Sequence, residues 1–138
     1  ARSKFFNFFN VNSSISTEYG SQSDSNRKYV FNYIPDGFSE RLYETSDDLT
    51  RIYFVNIDNK QSYILVNISE NKRLISADTE NAQEIASIDI NGHIGEIVLK
   101  NSIYTLVWTD ESTATTYLLQ SGLDKEEIIK IAEQISLK

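Results

Sequence analysis

Residues 38–120 alternate apolar and polar side chains with a period of two, and this alternation constrains the fold more than any other feature. A period of two is typical of β-strands, because successive side chains point to opposite faces of a sheet. Residues that favour turns divide this stretch into predicted strands at 38–45, 50–57, 61–69, 82–90, 94–100, 103–109 and 114–120. The connections between them are short, so we predict an antiparallel meander of about six to eight strands.

One connection is predicted in detail. Asn91-Gly92 separates two of the predicted strands. Asparagine followed by glycine favours a two-residue type I′ turn, because both central positions of that turn need a positive φ. We therefore expect residues 82–90 and 94–100 to form a hairpin.

The end of the chain predicts a helix. Asp124 stands at the N-cap position and Glu127 follows three residues later, which is a capping-box pattern. Apolar residues then form one stripe at helical spacing: Ile128, Ile131, Ala132 and Ile135. We expect this helix to pack on the sheet, because a sheet must bury its apolar face against another element.

The beginning of the chain predicts a second, shorter helix. Four phenylalanines recur there at helical spacings: Phe5, Phe6, Phe8 and Phe9. The predicted fold class is therefore α+β: an antiparallel meander with a short N-terminal helix and a C-terminal helix packed on the sheet. We predict one domain over residues 1–138, in which residues 1–32 hold the N-terminal helix, a short strand and a polar loop, and residues 33–138 form the core.

Composition narrows the function classes. The chain has 13 lysines and arginines against 20 aspartates and glutamates, a net charge of −7 at pH 7, which argues against nucleic acid and anionic membrane surfaces as partners. It has no cysteine, so disulfides, thiolate metal ligands and cysteine nucleophiles are excluded. His93 is the only histidine and stands beside the predicted turn. We predict neither a metal site nor a cofactor.

Adjacent carboxylates are the remaining candidates for catalysis. They occur as Asp47-Asp48, Asp110-Glu111 and Glu126-Glu127. Two acids that face each other across a cleft hydrolyse glycosides, but neighbours in sequence usually do not face each other. The Gly-Xaa-Ser-Xaa-Gly motif of serine hydrolases is absent as well. We predict no catalytic residues and no enzymatic activity.

Trp108 and Tyr104 are the candidate ligand-binding residues. They lie on one side of a predicted strand by alternation, and Trp108 is the only tryptophan. An aromatic stripe of this kind usually belongs to the core. The alternative is a concave sheet surface that binds an apolar or peptide ligand. Asn12 and Asn67 also fit the N-glycosylation pattern.

Five segments, taken in order, resemble a known family. They are YIPDGF at 33–38, DTENA at 78–82, INGHIGEI at 90–97, YTLVW at 104–108 and SGLDKEEIIKIAEQI at 121–135. Together they are similar to the domain of unknown function 4367 family. The sequence departs from the family pattern at Asn101-Ser102, where an Asp-Gly type of turn is expected, and in the spacing of residues 120–123.

The resemblance implies a biological setting and no reaction. The family is an extracytoplasmic domain of Gram-positive bacteria, often behind a single membrane span and sometimes joined to an anti-sigma-factor-like cytoplasmic part. It has no established activity. The resemblance implies a membrane anchor upstream of the chain, which fits a sequence that begins at Ala1 without methionine.

These observations favour one function and leave two alternatives. We expect an extracytoplasmic sensor or interaction module, non-enzymatic and part of a membrane-anchored regulatory protein, whose partner is another protein or a peptide or apolar ligand. The first alternative is a carrier-like domain that binds an apolar or peptide ligand in a sheet concavity. The least favoured is a carboxylate-based hydrolase.

Overall fold

The computed structural model describes residues 27–70 and 77–138, and most of them lie in β-strands. In chain order the elements are β1 (Tyr29–Phe31), β2 (Phe38–Ser46), β3 (Leu49–Asn56), β4 (Tyr63–Ser69), β5 (Glu84–Ile90), β6 (His93–Lys100), β7 (Ile103–Asp110), β8 (Thr115–Ser121), α1 (Lys125–Glu133) and β9 (Ile135–Leu137). Each strand predicted within residues 38–120 is confirmed, with its ends within two residues of those observed. No described helix is long and apolar enough to cross a membrane.

The predicted α+β class is wrong for this part of the chain. The described residues form one large antiparallel sheet with a single helix of nine residues, so no helical layer covers the sheet. Such a short helix buries only three residues, Ile128, Ile131 and Ala132, and covers only part of one face. The predicted N-terminal helix at Phe5 to Phe9 lies outside the described residues.

The simple meander is also wrong. The seven strands are ordered β2-β3-β4-β8-β7-β6-β5, so the chain leaves β4, crosses to the far edge at β5 and returns strand by strand until β8 pairs with β4. Burial explains this order. Both β4 and β8 are buried on most positions of both faces, whereas β5 alternates between exposed and half-buried residues. A strand that is apolar on both faces belongs in the centre of a sheet, and the chain therefore inserts β8 beside β4.

The main core lies on the face of the sheet that α1 covers, which we call the helix face. Side chains from β3, β4, β6, β7 and β8 meet α1 there, and those with 0% or 1% exposure include Ile52, Ile64, Val66, Ile68, Ile97, Leu106, Leu119, Ile128 and Ile131. On the opposite face a smaller cluster contains Leu65 and Leu118. Tyr53, Tyr63 and Val107 pack against it.

The termini of the described domain meet in a second, two-stranded sheet. β1 pairs antiparallel with β9 in the register Tyr29 to Leu137 and Phe31 to Ile135. Ile135, which the sequence places on the helical stripe, instead begins β9. The backbone of Gln134 turns the chain out of α1, and its carbonyl accepts a hydrogen bond from Asn32 N. The end of the chain is thus tied to the segment that precedes the large sheet.

The two-residue hairpin is confirmed. Asn91 and Gly92 have φ values of 54° and 91°, as a type I′ turn requires. The next turn uses Asn101 and Ser102, with φ values of 53° and 66°. Serine rarely adopts this region, so this turn is more strained than the first.

The predicted capping box is wrong. Asp124 has the extended backbone of an N-cap, but its side chain makes no capping hydrogen bond. Glu127, the other half of the predicted box, accepts a hydrogen bond from the Tyr33 hydroxyl at 2.6 Å. The carboxylate that was expected to cap the helix therefore ties α1 to the segment before β2.

We expect Asp124→Ala to change the free energy of unfolding by less than about 0.5 kcal/mol, because the side chain is exposed and makes no capping hydrogen bond. A true N-cap aspartate would cost about 0.5–2 kcal/mol. Chemical denaturation of the two proteins measures the difference. A loss of 1 kcal/mol or more, on the order expected for a cap, would show that Asp124 does cap the helix in solution.

Candidate functional site

Trp108 and Tyr104 lie on the helix face of β7, as alternation predicts, but Trp108 is part of the core. Its side chain is 4% exposed and stacks on the Tyr117 ring, with centroids 5.0 Å apart and planes within 5°. Tyr104 is half-buried and packs against the same core. A ligand could stack on that face of Trp108 only by displacing Tyr117. Ligand binding by this pair stays a prediction.

Gly95 makes room for Trp108. The two residues are paired between β6 and β7. A Cβ atom added at Gly95 would lie 2.7 Å from the Val107 carbonyl oxygen and 2.9 Å from the Trp108 Cβ, closer than real Cβ atoms come. The glycine therefore serves the packing of the tryptophan.

His93 is less exposed than a solvated turn residue. Its side chain is 36% exposed, and Nε2 lies 3.9 Å from Asp110 Oδ2. The imidazole thus faces one carboxylate across the end of the sheet. Among residues 27–70 and 77–138, no group of three histidine, cysteine or acidic side chains could hold a metal ion.

The most connected polar site on the helix face holds β1 in place. We call it the β1 anchor: Lys28, Tyr29, Tyr43, Glu70 and Tyr117. The Tyr29 hydroxyl donates to Glu70 Oε2 at 2.5 Å, and Lys28 Nζ donates to the same oxygen at 3.0 Å. The Tyr43 hydroxyl accepts hydrogen bonds from the backbone N–H groups of Lys28 and Tyr29, both at 3.1 Å.

An aromatic row connects the β1 anchor to Trp108. The Tyr29 and Tyr117 rings meet edge to face with centroids 6.2 Å apart, and Tyr117 stacks on Trp108. The Arg27 guanidinium lies over the Tyr43 ring in a cation–π contact, with its central carbon 4.8 Å from the ring centroid. The sequence gives no signal for this arrangement, because its members come from β1, β2, the end of β4 and β8.

Titration in the β1 anchor is set by the contact between Tyr29 and Glu70. Burial first, and then the hydrogen bond to Glu70, raise the pKa of the Tyr29 hydroxyl far above 10.0. Burial alone would raise the pKa of the Glu70 carboxyl, but the hydrogen bonds from Tyr29 and Lys28 outweigh it and lower that pKa below 4.5. At neutral pH the Tyr29 hydroxyl is therefore protonated and the Glu70 carboxyl is ionised.

We expect the β1 anchor to stabilise the domain at neutral pH and to weaken in acid. A carboxyl group whose pKa is lowered in the folded state contributes stability above its unfolded pKa, here about 4.5, and loses it as the pH falls through the folded value. The melting temperature of the native chain should therefore exceed that of Glu70→Gln at pH 7, and the difference should shrink as the pH falls below 4.5.

Glu111→Gln is the matched control, since this glutamate is exposed in the turn between β7 and β8. Its melting temperature should follow that of the native chain across the same pH range. If the difference caused by Glu70→Gln were independent of pH, the Glu70 carboxylate would not be the stabilising group.

The three pairs of adjacent acids lie in two turns and in the first turn of α1. Asp110 accepts hydrogen bonds from Ser112 Oγ at 2.6 Å and from Ser112 N at 3.0 Å, and the side-chain bond chiefly lowers the pKa of Asp110. Asp47 has a φ of 54° in the turn between β2 and β3. Glu127 is bound by Tyr33. One member of each pair thus has a structural role: Asp47 in a turn, Asp110 with Ser112, and Glu127 with Tyr33.

A polar residue on the opposite face was not predicted as a site. Asn67 is 0% exposed in β4, and neither Nδ2 nor Oδ1 has a hydrogen-bond partner. Nearby, Gln120 Nε2 donates to Thr105 Oγ1 at 3.0 Å and Gln120 Oε1 accepts from the Tyr63 hydroxyl at 3.2 Å. Because Asn67 is fully buried, its match to the glycosylation pattern does not mark a glycan site in the folded domain. Asn12 lies outside the described residues.

The profile of one known protein family matches most of the chain. The profile of DUF4367, described as a domain of unknown function, matches residues 28–135, which span β1 to the first residue of β9. No curated protein matches the chain. The match covers well over half of the 138 residues and confirms the resemblance seen in the sequence. The chain therefore belongs to the DUF4367 family of domains of unknown function.

Proposed function

We propose that this chain is a non-enzymatic sensor or interaction module that lies outside the cytoplasm, within a membrane-anchored regulatory protein. The location rests on what the family resemblance implies. The observation that carries the proposed role is the β1 anchor, which connects the start of the described domain to three distant parts of the structure, at Tyr43, Glu70 and Tyr117.

The contacts of β1 suit a domain that passes a structural change to what precedes it. β1 has only three residues and pairs only with β9 among the described strands. Tyr29 also contacts the side chains of Tyr43, Glu70 and Tyr117, and the Phe31 ring meets the Phe54 ring edge to face. A short strand held in this way is a small cooperative unit, and a binding event on the sheet that shifts any of these partners would move it.

Electrostatics gives the hydrolase alternative little support. A glycosidase needs one carboxylic acid with a raised pKa to protonate the leaving group. The pKa values of the Glu70 and Asp110 carboxyl groups are instead lowered, by hydrogen bonds from Tyr29 and Lys28 and from Ser112. The alternative of a carrier-like domain has no specific support either. Trp108, its candidate ligand-binding residue, stacks on Tyr117 in the core.

The location is tested by labelling a single thiol. The chain has no cysteine, so Glu111→Cys places one thiol at an exposed turn of an otherwise unreactive domain. We expect a membrane-impermeant maleimide to label it on intact cells that express the complete protein. Leu106→Cys is the control, because position 106 is 0% exposed and should stay unlabelled until the domain unfolds. Labelling of Glu111→Cys only after cell lysis would overturn the proposed location.

The absence of catalysis is tested on a panel of glycoside and peptide substrates. The three acid pairs, Asp47-Asp48, Asp110-Glu111 and Glu126-Glu127, are changed one pair at a time to the corresponding amides. We expect no turnover by any of these proteins. Turnover by the native chain that one amide pair abolishes, in a protein that still melts cooperatively, would establish the hydrolase instead.

A further inference from the structure

The two edges of the seven-stranded sheet are not equally protected. Sheet edges present unpaired backbone groups, and proteins usually protect them with bulges, prolines or charged side chains. At the β2 edge the register shifts between Glu40 and Leu42, the exposed Arg41 lies within this bulge, and Arg27 pairs with Glu40 at 2.7 Å. The β2 edge is therefore protected both by a bulge and by charged side chains.

The β5 edge has no bulge and no proline, and its charged residues, Glu84 and Asp89, are both acidic. β5 pairs with β6 without a shift in register from Glu84 to Ile90. The strand EIASIDI contains no proline, lysine or arginine, and no described strand pairs with its outer side. The two-residue turn sets the hydrogen-bonding alternation, so every second residue of β5, starting from Ile85, directs its backbone N–H and C=O groups outward.

An exposed surface lies directly beside this free edge. We call it the edge patch: Ile85, Ser87, Asp89, Ile94 and Glu96, which share the sheet face opposite α1 by alternation. Ile85 is 52% exposed and Ile94 is 79% exposed, and the other three side chains are exposed as well. Single exposed isoleucines are ordinary, and here two of them share a sheet face beside the free edge of β5.

The charge of the edge patch selects among partners. It contains two carboxylates, Asp89 and Glu96. The lysines of neighbouring positions are already paired, Lys100 with Asp78 at 3.0 Å and Lys125 with Glu84 at 2.5 Å. A second copy of the chain would bring the same carboxylates to the interface, and like charges across a strand pair are destabilising. Complementarity therefore favours a basic partner.

We infer that β5 is a docking edge for an extended segment of a partner protein, which adds an eighth strand to the sheet. Backbone hydrogen bonds to the outward groups of β5 would supply affinity, and alternate side chains would supply specificity. Only every second residue of such a segment faces the edge patch. The segment that fits therefore carries, at these alternate positions, both apolar residues, which contact Ile85 and Ile94, and lysine or arginine, which face Asp89 and Glu96. This inference rests on the proposed role as an interaction module and names its surface and partner class.

The test uses the full chain and a probe peptide with threonine at every second position, in which valine and lysine take turns at the positions between, so that both can face the edge patch. A peptide with glutamate in place of lysine is the comparison. Binding is followed by fluorescence anisotropy, and amide hydrogen exchange reports the position. We expect the lysine peptide to bind and to protect the outward amides of β5, and the glutamate peptide to bind at least about tenfold more weakly.

Two substitutions in the edge patch, Ile85→Lys and Glu96→Lys, should each weaken binding of the lysine peptide about tenfold, and Ile57→Lys should change it less than about twofold. Ile57 is the matched control because it is 60% exposed and follows β3, on the other half of the sheet. Melting curves verify that each variant folds.

Equal binding by all three variants would overturn the inference, as would protection of β2 in place of β5. Concentration-dependent dimers that Ile85→Lys dissolves would also overturn it, since the edge would then serve a second copy. None of these results bears on the proposed location, which the thiol labelling tests. None bears on the proposed absence of catalysis, which the substrate panel tests.

Discussion

Removal of residues 124–138 should abolish cooperative unfolding of the domain. This segment contains α1, whose Ile128 and Ile131 are both 0% exposed in the main core. Burial of an isoleucine side chain is worth roughly 1.5–3 kcal/mol, so these two contribute about 3–6 kcal/mol as an upper figure. The net stability of a whole domain is only about 5–15 kcal/mol.

The same deletion also removes β9 and thereby releases β1. It eliminates the pairing of Tyr29–Phe31 with the chain end and the hydrogen bonds from Asn32 N to Gln134 O and from Lys138 N to Lys28 O. Thermal melting followed by circular dichroism measures the outcome. We expect a broad, non-cooperative transition or none.

Two controls separate the contributions. Deletion of residues 135–138 removes β9 and leaves α1 in place, so it should lower the melting temperature and preserve a cooperative transition. Glu133→Ala alters an exposed position of the helix and should change the free energy of unfolding by less than about 0.5 kcal/mol. If the chain without residues 124–138 melted cooperatively near the native temperature, α1 would be peripheral to the core.

Trp108→Ala should destabilise the domain by about 3–5 kcal/mol, the usual range for removing a buried tryptophan. The indole is 4% exposed, stacks on Tyr117 and fills the space that Gly95 leaves free. Urea denaturation measures the free energy of unfolding.

Trp108→Phe is the conservative control, because it keeps an aromatic ring against Tyr117 and should cost distinctly less. A cost below 1 kcal/mol for Trp108→Ala, well under the range for a buried tryptophan, would contradict a core role. Trp108 would then be available to a ligand, and this result would support the carrier-like function.

Part of the candidate site follows from the sequence. Alternation places Trp108 and Tyr104 on one face of a strand, and the structure has them there. The β1 anchor does not follow, because Tyr29, Tyr43 and Glu70 belong to segments whose meeting depends on the path of the whole chain. The capping role expected of Glu127 failed for a similar reason: Tyr33, distant in sequence, binds its carboxylate.

The sequence by itself determined where the strands lie and how some turns are built. Alternation along β2 to β8 and the φ preferences of Asn91-Gly92 are set by residues next to each other in the chain, so local reasoning found them. Only the tertiary structure decided that β8 joins β4, that β5 becomes a free edge and that one short helix covers a mostly β domain. Strand order depends on which strands must be buried on both faces, and that burial results from the packing of the whole sheet.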